Sequence, residues 1–463
     1  MSKLKWTGLI LGITGFLMPL VYTFPGLPLA GHFAMSIFLM AAVFWMFETI
    51  PIYSTSILVI FFQVILLSAE GFIDYSAAVY DPLPFNHFIA TLADPIIILF
   101  LGGFVLADAS VKYDFDKNLT RVLLKPFGSH TEYIILGLMV VTAILSAFMS
   151  NTATTAMMIT VILPIIARME PGDPARIGVV LCIPFAANIG GIATPIGTPP
   201  NAVVIAALNQ QGLQVAFSSW MIYAAPLAVV MLFIAWKVLL RLYPPATDII
   251  SLTLDSKLKT SPNAIVLYTT FAITVLLWVT EGIHGIRSSI VALIPVAVLT
   301  LTSAFEKQDI RKLPWEVLWL IAGGIALGIS MKETGLAEWM VGAISWDQFG
   351  YLMLLAVFGT VALLMSNFLS NTVTASLLIP LGISLAMSGI MEGQVFGMMM
   401  IGLVIALASS FAMVLPISTP PNAIAVSTGL LETKDMITSG LIIGLIGLVL
   451  IMLLSVIYWP FIL

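Results

Sequence analysis

The chain has 463 residues, of which 60% are hydrophobic and only 9% charged, with a mean hydropathy of +1.10 and a formal net charge of −5. Soluble domains carry about 25% charged residues, so a water-soluble globule is excluded. The 18 Lys and Arg against 23 Asp and Glu leave no basic stripe for nucleic acid, and Cys182, the single cysteine, excludes a disulfide scaffold.

What remains is an all-α polytopic membrane protein, because the apolar runs are helix-length rather than alternating barrel strands. In chain order they lie at 6–24, 30–47, 54–69, 95–109, 177–208, 219–240, 264–280, 288–305, 315–331, 394–428 and 437–462. The first follows Lys3 and Lys5 as a signal peptide would, but no small-residue cleavage pattern comes after it, so it reads as a retained helix. Two further stretches, 132–167 and 350–388, are too long for one crossing and awkwardly short for two. Each is broken in its middle by Ser-Asn-Thr and reads as a re-entrant helical hairpin. Segments 111–129 and 332–347 mix charges with apolar residues at helical spacing and read as interfacial helices. The expected fold is therefore 11 transmembrane helices plus two re-entrant hairpins.

Charge bias tests this count. With the N-terminus in the cytoplasm, every Lys and Arg from Lys3 to Lys434, Lys257 and Lys259 included, falls inside except Arg287 and Lys332. Turning either hairpin into a full crossing would invert every later loop. The expected topology is N-terminus in, C-terminus out.

The two halves resemble each other at a fixed offset. Gly102-Gly103 matches Gly323-Gly324, 221 residues on. The segment from Ser146 to Thr152 matches Ser366 to Thr372, 220 on, and Thr194 to Asn201 matches Leu415 to Asn422, 221 on. On the topology above the first hairpin opens from the cytoplasm and the second from outside, so the repeats are inverted. Inverted repeats with interrupted helices in matching places point to a secondary transporter whose site lies at the bilayer midplane. The chain divides into N-terminal scaffold helices (1–94), a first repeat (95–242), a linking segment (243–314) and a second repeat (315–463).

The duplicated motifs have a definite chemistry. Ser, Asn and Thr are favoured helix N-caps, so the second arm of each hairpin starts at depth with a partly positive end. In the other motif Thr198 or Thr419 caps, and the prolines (Pro199-Pro200, Pro420-Pro421) take early helical positions while breaking the helix before them. Bare polar backbone at that depth is tolerated only where it lines a cavity, and converging helix N-termini attract an anion. None of the motifs contains Lys or Arg. Neutral oxygens suit a small hard cation such as Na⁺. One cation is assigned to Ser146, Ser150, Asn151 and the Gly197 carbonyl, and its mate to Ser366, Ser370, Asn371 and the Ser418 carbonyl. Asn151, Thr152, Thr198, Asn371, Thr372 and Thr419, beside Pro199 and Pro420, are placed to hold carboxylate oxygens. No His, Asp, Glu or Cys stands beside the deep serines, so an enzyme is not expected.

At these motifs the sequence resembles the divalent-anion:sodium symporters, including the INDY-type dicarboxylate transporters. Ser409 to Val426 looks like the family's sodium:sulfate symporter signature, and the paired Ser-Asn-Thr motifs at 150–152 and 370–372 are its most specific mark. The resemblance covers nearly the whole chain. It implies Na⁺-coupled import of C4 dicarboxylates such as succinate, malate and fumarate across a plasma (bacterial inner) membrane. It also implies at least two Na⁺ sites on the residues named above, and a homodimer in which a transport domain moves like an elevator against a fixed scaffold.

Overall fold

A computed structural model describes residues 2–76, 80–246, 248–249, 258–343, 346–389 and 393–463. Lys257 and part of the linking segment lie outside the described residues. Among the described residues the chain is all-helical, with one isolated bridge between His130 and Ile249. Among the described residues nine helices are long and apolar enough to cross a membrane, and six apolar helices are shorter. The short ones include Asn151–Ile166 and Asn371–Met387, the second arms of both hairpins, and Ala175–Gly191 and Gln394–Ser410, the first arms of both broken helices.

The breaks fall where the capping chemistry places them. The first hairpin is Thr131–Phe148 followed by Asn151–Ile166, and the second is Tyr351–Phe368 followed by Asn371–Met387. The broken helices are Ala175–Gly191 with Pro199–Gln210, and Gln394–Ser410 with Pro420–Ser427. The run at 288–305 departs from expectation: it is divided at Ala292 into Ser288–Val291 and Leu293–Leu301. Pro295 lacks the N–H that would close a helical bond on the Val291 carbonyl, which permits the division.

The second half of each broken helix packs against the hairpin of the other repeat. Pro420–Ser427 lies on Asn151–Ile166 and Ala175–Gly191, while Pro199–Gln210 lies on Asn371–Met387. The repeats are thus interlocked. Around this inner assembly run outer helices. Leu29–Met46 and Ile52–Leu67 share an apolar cluster with Leu320, Leu327 and Met331 of the helix Trp315–Glu333. The buried Gln63 amide fixes that contact by donating to the Ala326 carbonyl and to Ser330 Oγ, both at 2.9 Å.

The two Gly-Gly helices sit between outer and inner parts. In Pro95–Lys112, Gly102 is pressed on Ala292, where the helices Ser288–Val291 and Leu293–Leu301 meet, and Gly103 on Ile196 of the inner loop. In Trp315–Glu333, Gly323 is pressed on Ser56 of an outer helix and Gly324 on Ser376 of the second hairpin. The repeat therefore preserves a two-sided contact, in which one glycine faces each part.

Several of the charges expected on one side of the membrane do meet. Lys259 Nζ lies 2.6 Å and Lys117 Nζ 2.7 Å from the Asp114 carboxylate, and Lys112 Nζ lies 2.6 Å from Asp309. The Lys117 and Lys259 ammonium groups hold the Asp114 carboxyl below its ordinary range. Exposed pairs of this kind stabilise by no more than about 1 kcal/mol each, so they mark proximity rather than strength.

Candidate functional site

Around Asn151 the structure gathers oxygens. One terminal atom of its amide lies 2.6 Å from Ser146 Oγ, 3.0 Å from the Gly197 carbonyl oxygen and 3.2 Å from that of Ala187, positions that an inward-facing NH₂ satisfies as a donor. Ser146, fully buried, also donates to the Ala187 carbonyl at 2.9 Å. With the Asn151 oxygen turned inward, the Ser146 hydroxyl hydrogen is the one proton among these four oxygens. A cation balances such a set, or the amide turns over and offers its NH₂. The donor set is neutral, compact and entirely oxygen, which fits Na⁺ and fits no soft metal.

Backbone packing holds the Gly197 carbonyl in place. Asn201, the asparagine after Pro-Pro, donates to the carbonyls of Gly191, Ile192 and Thr194 at 3.2, 3.4 and 2.8 Å. The Thr194 hydroxyl donates to the Ala147 carbonyl of the hairpin, and Trp220 Nε1 donates to the Ile192 carbonyl at 3.0 Å. The loop then passes so close to the preceding helix that a Cβ on Gly197 would overlap the Gly191 carbonyl.

The second repeat is similar in outline and different in detail. Ser366 Oγ lies 2.8 Å from the Asn371 amide oxygen, the pairing that Ser146 and Asn151 make in the first repeat. Asn422 donates to the Met413 and Leu415 carbonyls, both at 3.0 Å, as Asn201 does in the first loop. Ser418, where the first repeat has Gly197, turns its hydroxyl onto the Asn367 carbonyl at 3.0 Å and accepts from Leu415 N at 3.0 Å. This loop is also more open: Ile417 is exposed, while Thr194 to Thr198 are buried.

The remaining expected residues divide. Ser150 and Ser370 cap the second hairpin arms, accepting from Ala153 N at 3.1 Å and Val373 N at 3.2 Å, so their hydroxyls serve the backbone first. Thr419 caps as expected, accepting from Asn422 N at 3.3 Å. Thr198 occupies the matching position but makes no side-chain cap, a correction to the symmetric expectation. Thr152 is exposed at the hairpin tip and Thr372 is buried. Pro199 is half-buried and Pro420 exposed, each opening its helix.

Four participants escaped the reading of the sequence. The Ala187 carbonyl is backbone and carries no sequence signal. Asn201 and Asn422 stood inside the duplicated motif, so their repetition in register was the available signal. Asn188 is the fourth. It is 1% exposed, its Oδ1 lies 3.5 Å from Asn151 Nδ2, and its Nδ2 donates to Thr419 Oγ1 at 3.2 Å. It therefore joins the hairpin tip of one repeat to the broken helix of the other.

Comparison with known proteins agrees with this architecture. Residues 3–463 match the model of the sodium:sulfate symporter transmembrane region. The chain is 30% identical to the sodium-dependent dicarboxylate transporter SdcS of Staphylococcus aureus (strain USA300), covering 98% of this chain and 91% of that protein. The SdcS of strain NCTC 8325 matches with the same identity and coverage. Among solved structures, the Alcanivorax borkumensis YdaH transporter, a structure described as having an unusual topology, aligns with a TM-score of 0.55 at 12% identity, over 88% of this chain and 98% of that one. That last likeness concerns the fold alone.

Proposed function

We propose a Na⁺-coupled dicarboxylate symporter: the chain belongs to the sodium:sulfate symporter family, a family of multi-pass membrane transporters rather than enzymes, and its site carries the chemistry such coupling needs. The observation that bears most weight is the buried oxygen cluster of Ser146, Asn151, Ala187 and Gly197, linked through Asn188 to Thr419. A cation there neutralises oxygens that no basic side chain faces. Its charge, with the N-terminal ends of the helices starting at Asn151, Pro199, Asn371 and Pro420, then attracts a dianion.

In this reading Ser146, Ser150, Asn151 and Gly197 hold one Na⁺, and Ser366, Ser370, Asn371 and Ser418 a second. Asn151, Thr152, Thr198, Asn371, Thr372 and Thr419, beside Pro199 and Pro420, receive C4 dicarboxylates such as succinate, malate and fumarate. Eleven crossings and two re-entrant hairpins, N-terminus inside and C-terminus outside in a bacterial inner membrane, accommodate the inverted repeats 95–242 and 315–463. The Gly-Gly helices supply the seam for an elevator: one glycine of each faces the outer helices, the next faces the interlocked inner body that moves. A homodimer completes the proposal.

Uptake of radiolabelled succinate into proteoliposomes tests it. Uptake should rise with an inward Na⁺ gradient, with a Hill coefficient above one, and K⁺ should not substitute. Equal uptake in choline buffer would replace symport with Na⁺-independent exchange. The charge argument gives a second expectation. Because the motifs contain no arginine, the site is built to balance about two negative charges with cations and helix ends. Uptake at fixed total succinate should therefore fall as pH drops through the second pKa of succinate and the dianion disappears. A steady rise in acid would indicate monoanion or proton-coupled transport instead.

A further inference from the structure

Asn188 occupies the midpoint of a short series, Asn151–Asn188–Thr419, that crosses from the first repeat to the second. The position 221 residues on is Ser409, whose hydroxyl donates at 2.7 Å to the Ile405 carbonyl of its own helix, so the series has no equivalent there. Thr419 Oγ1 accepts twice, from Asn188 Nδ2 at 3.2 Å and from the Asn422 N–H at 3.3 Å. A hydroxyl oxygen has two acceptor positions and one hydrogen. Both acceptor positions are filled, and the hydrogen is left to be donated.

Two amides and a hydroxyl in series have two proton arrangements. In the first, Asn151 Oδ1 faces Ser146 Oγ and the Ala187 and Gly197 carbonyls, and Asn151 Nδ2 points to Asn188 Oδ1. Asn188 Nδ2 donates to Thr419, whose own hydrogen remains free. In the second, the Asn151 amide is turned over and its two hydrogens go to Ser146 Oγ and Gly197 O at 2.6 and 3.0 Å, while the Ser146 hydroxyl donates to Ala187 O at 2.9 Å. Its oxygen then faces Asn188, which satisfies it only by turning over as well. Asn188 Oδ1 then faces Thr419 and takes the hydroxyl hydrogen. The first arrangement sets four oxygens around one hydroxyl proton, a set that a cation completes. The second satisfies every acceptor with no cation.

We propose that Asn188 is a positioning residue that transmits cation occupancy at Asn151 to Thr419, freeing the Thr419 hydroxyl hydrogen for a substrate carboxylate oxygen only when the cation is bound. This rests on the Na⁺-coupled reading above. It is also one-sided, because Ser409 cannot perform the same exchange.

The test is the ratio of succinate dissociation constants without and with saturating NaCl, choline chloride replacing NaCl. It is measured by calorimetry on the purified full-length protein. A hydrogen bond to a carboxylate that becomes available only with the cation contributes about tenfold or more to that ratio. Asn188→Leu and Thr419→Val should each lower the ratio by about that factor, and the double variant should lower it no further, since both remove the same path. A wild-type ratio in Asn188→Leu overturns the proposal, as does a double variant whose losses multiply, or an Asn188→Leu that weakens both measurements equally. Should Asn188→Leu not yield folded protein, Thr419→Val decides alone: a wild-type ratio there overturns the relay. A wild type with no Na⁺ dependence would instead overturn the Na⁺-coupled reading, and the relay with it. That outcome is seen before any variant is made.

Discussion

Asn151→Ala is expected to lose both sodium stimulation and succinate binding while the protein still folds. The Asn151 amide lies against Gly191 and is otherwise committed to Ser146, the two carbonyls and Asn188. Truncation leaves a polar recess that water can fill, so the cost falls on ligands rather than on stability. Losing one charge-assisted hydrogen bond is worth about 1.5–3 kcal/mol, roughly ten- to a hundredfold in affinity, and losing the coupled cation adds to this. Asn371→Ala should be similarly severe, because Asn371 meets Ser366 as Asn151 meets Ser146. Sodium-dependent uptake and succinate binding in both variants check this. A silent Asn371→Ala beside an inactive Asn151→Ala would reduce the second Ser-Asn-Thr to a packing feature.

The loops make the opposite demand, for asymmetry. Gly197→Ser copies the residue of the second repeat into the first, where its Cβ meets the Gly191 backbone and cannot be relieved by a rotamer. Overpacking of this kind costs about 1–3 kcal/mol, and here it displaces the carbonyl that faces Asn151. The sodium concentration for half-maximal uptake should rise roughly ten- to a hundredfold. The reverse exchange, Ser418→Gly, removes the hydroxyl that bonds Asn367 and Leu415, a loss of about 1 kcal/mol, and should shift it less than about tenfold. Equal shifts in the two variants would show that the tight first loop has no bearing on cation binding.

Much of this architecture is legible in the sequence because strong local rules agree with the tertiary result. Ser150 and Ser370 could be read as caps since the same side chains cap in the structure, and the prolines at 199 and 420 take the first helical position, where a missing N–H costs nothing. Legibility ends where one backbone or side chain has competing partners. Thr198 had the sequence of a cap, yet its loop is fixed instead by Asn201 and Thr194. The pairing of Ser418 with Asn367 could not be anticipated, because the corresponding residues in the first repeat, Gly197 and Ala147, have no polar side chains to suggest it. Asn188 lies in an apolar run with no periodic companion, and its meaning comes from Thr419, 231 residues away. Hydropathy gave helix positions but not which of the short helices cross the membrane.

The interlocked repeats bear on how the chain is made. The ribosome delivers Asn151–Ile166 some 270 residues before Pro420–Ser427, the helix that packs on it. At about 5–20 residues per second, the first hairpin waits roughly 15–50 s for its neighbour. Throughout that interval Asn188 lacks Thr419, and Asn371–Met387, when it emerges, finds Pro199–Gln210 already synthesised. The first half is therefore the one exposed to premature association or to capture by membrane quality control. The second half assembles onto a surface already there. Two units alike in plan thus differ in biosynthetic risk, with selection for self-sufficient packing falling harder on the earlier one, where the loop is buried and closely fitted around Gly197.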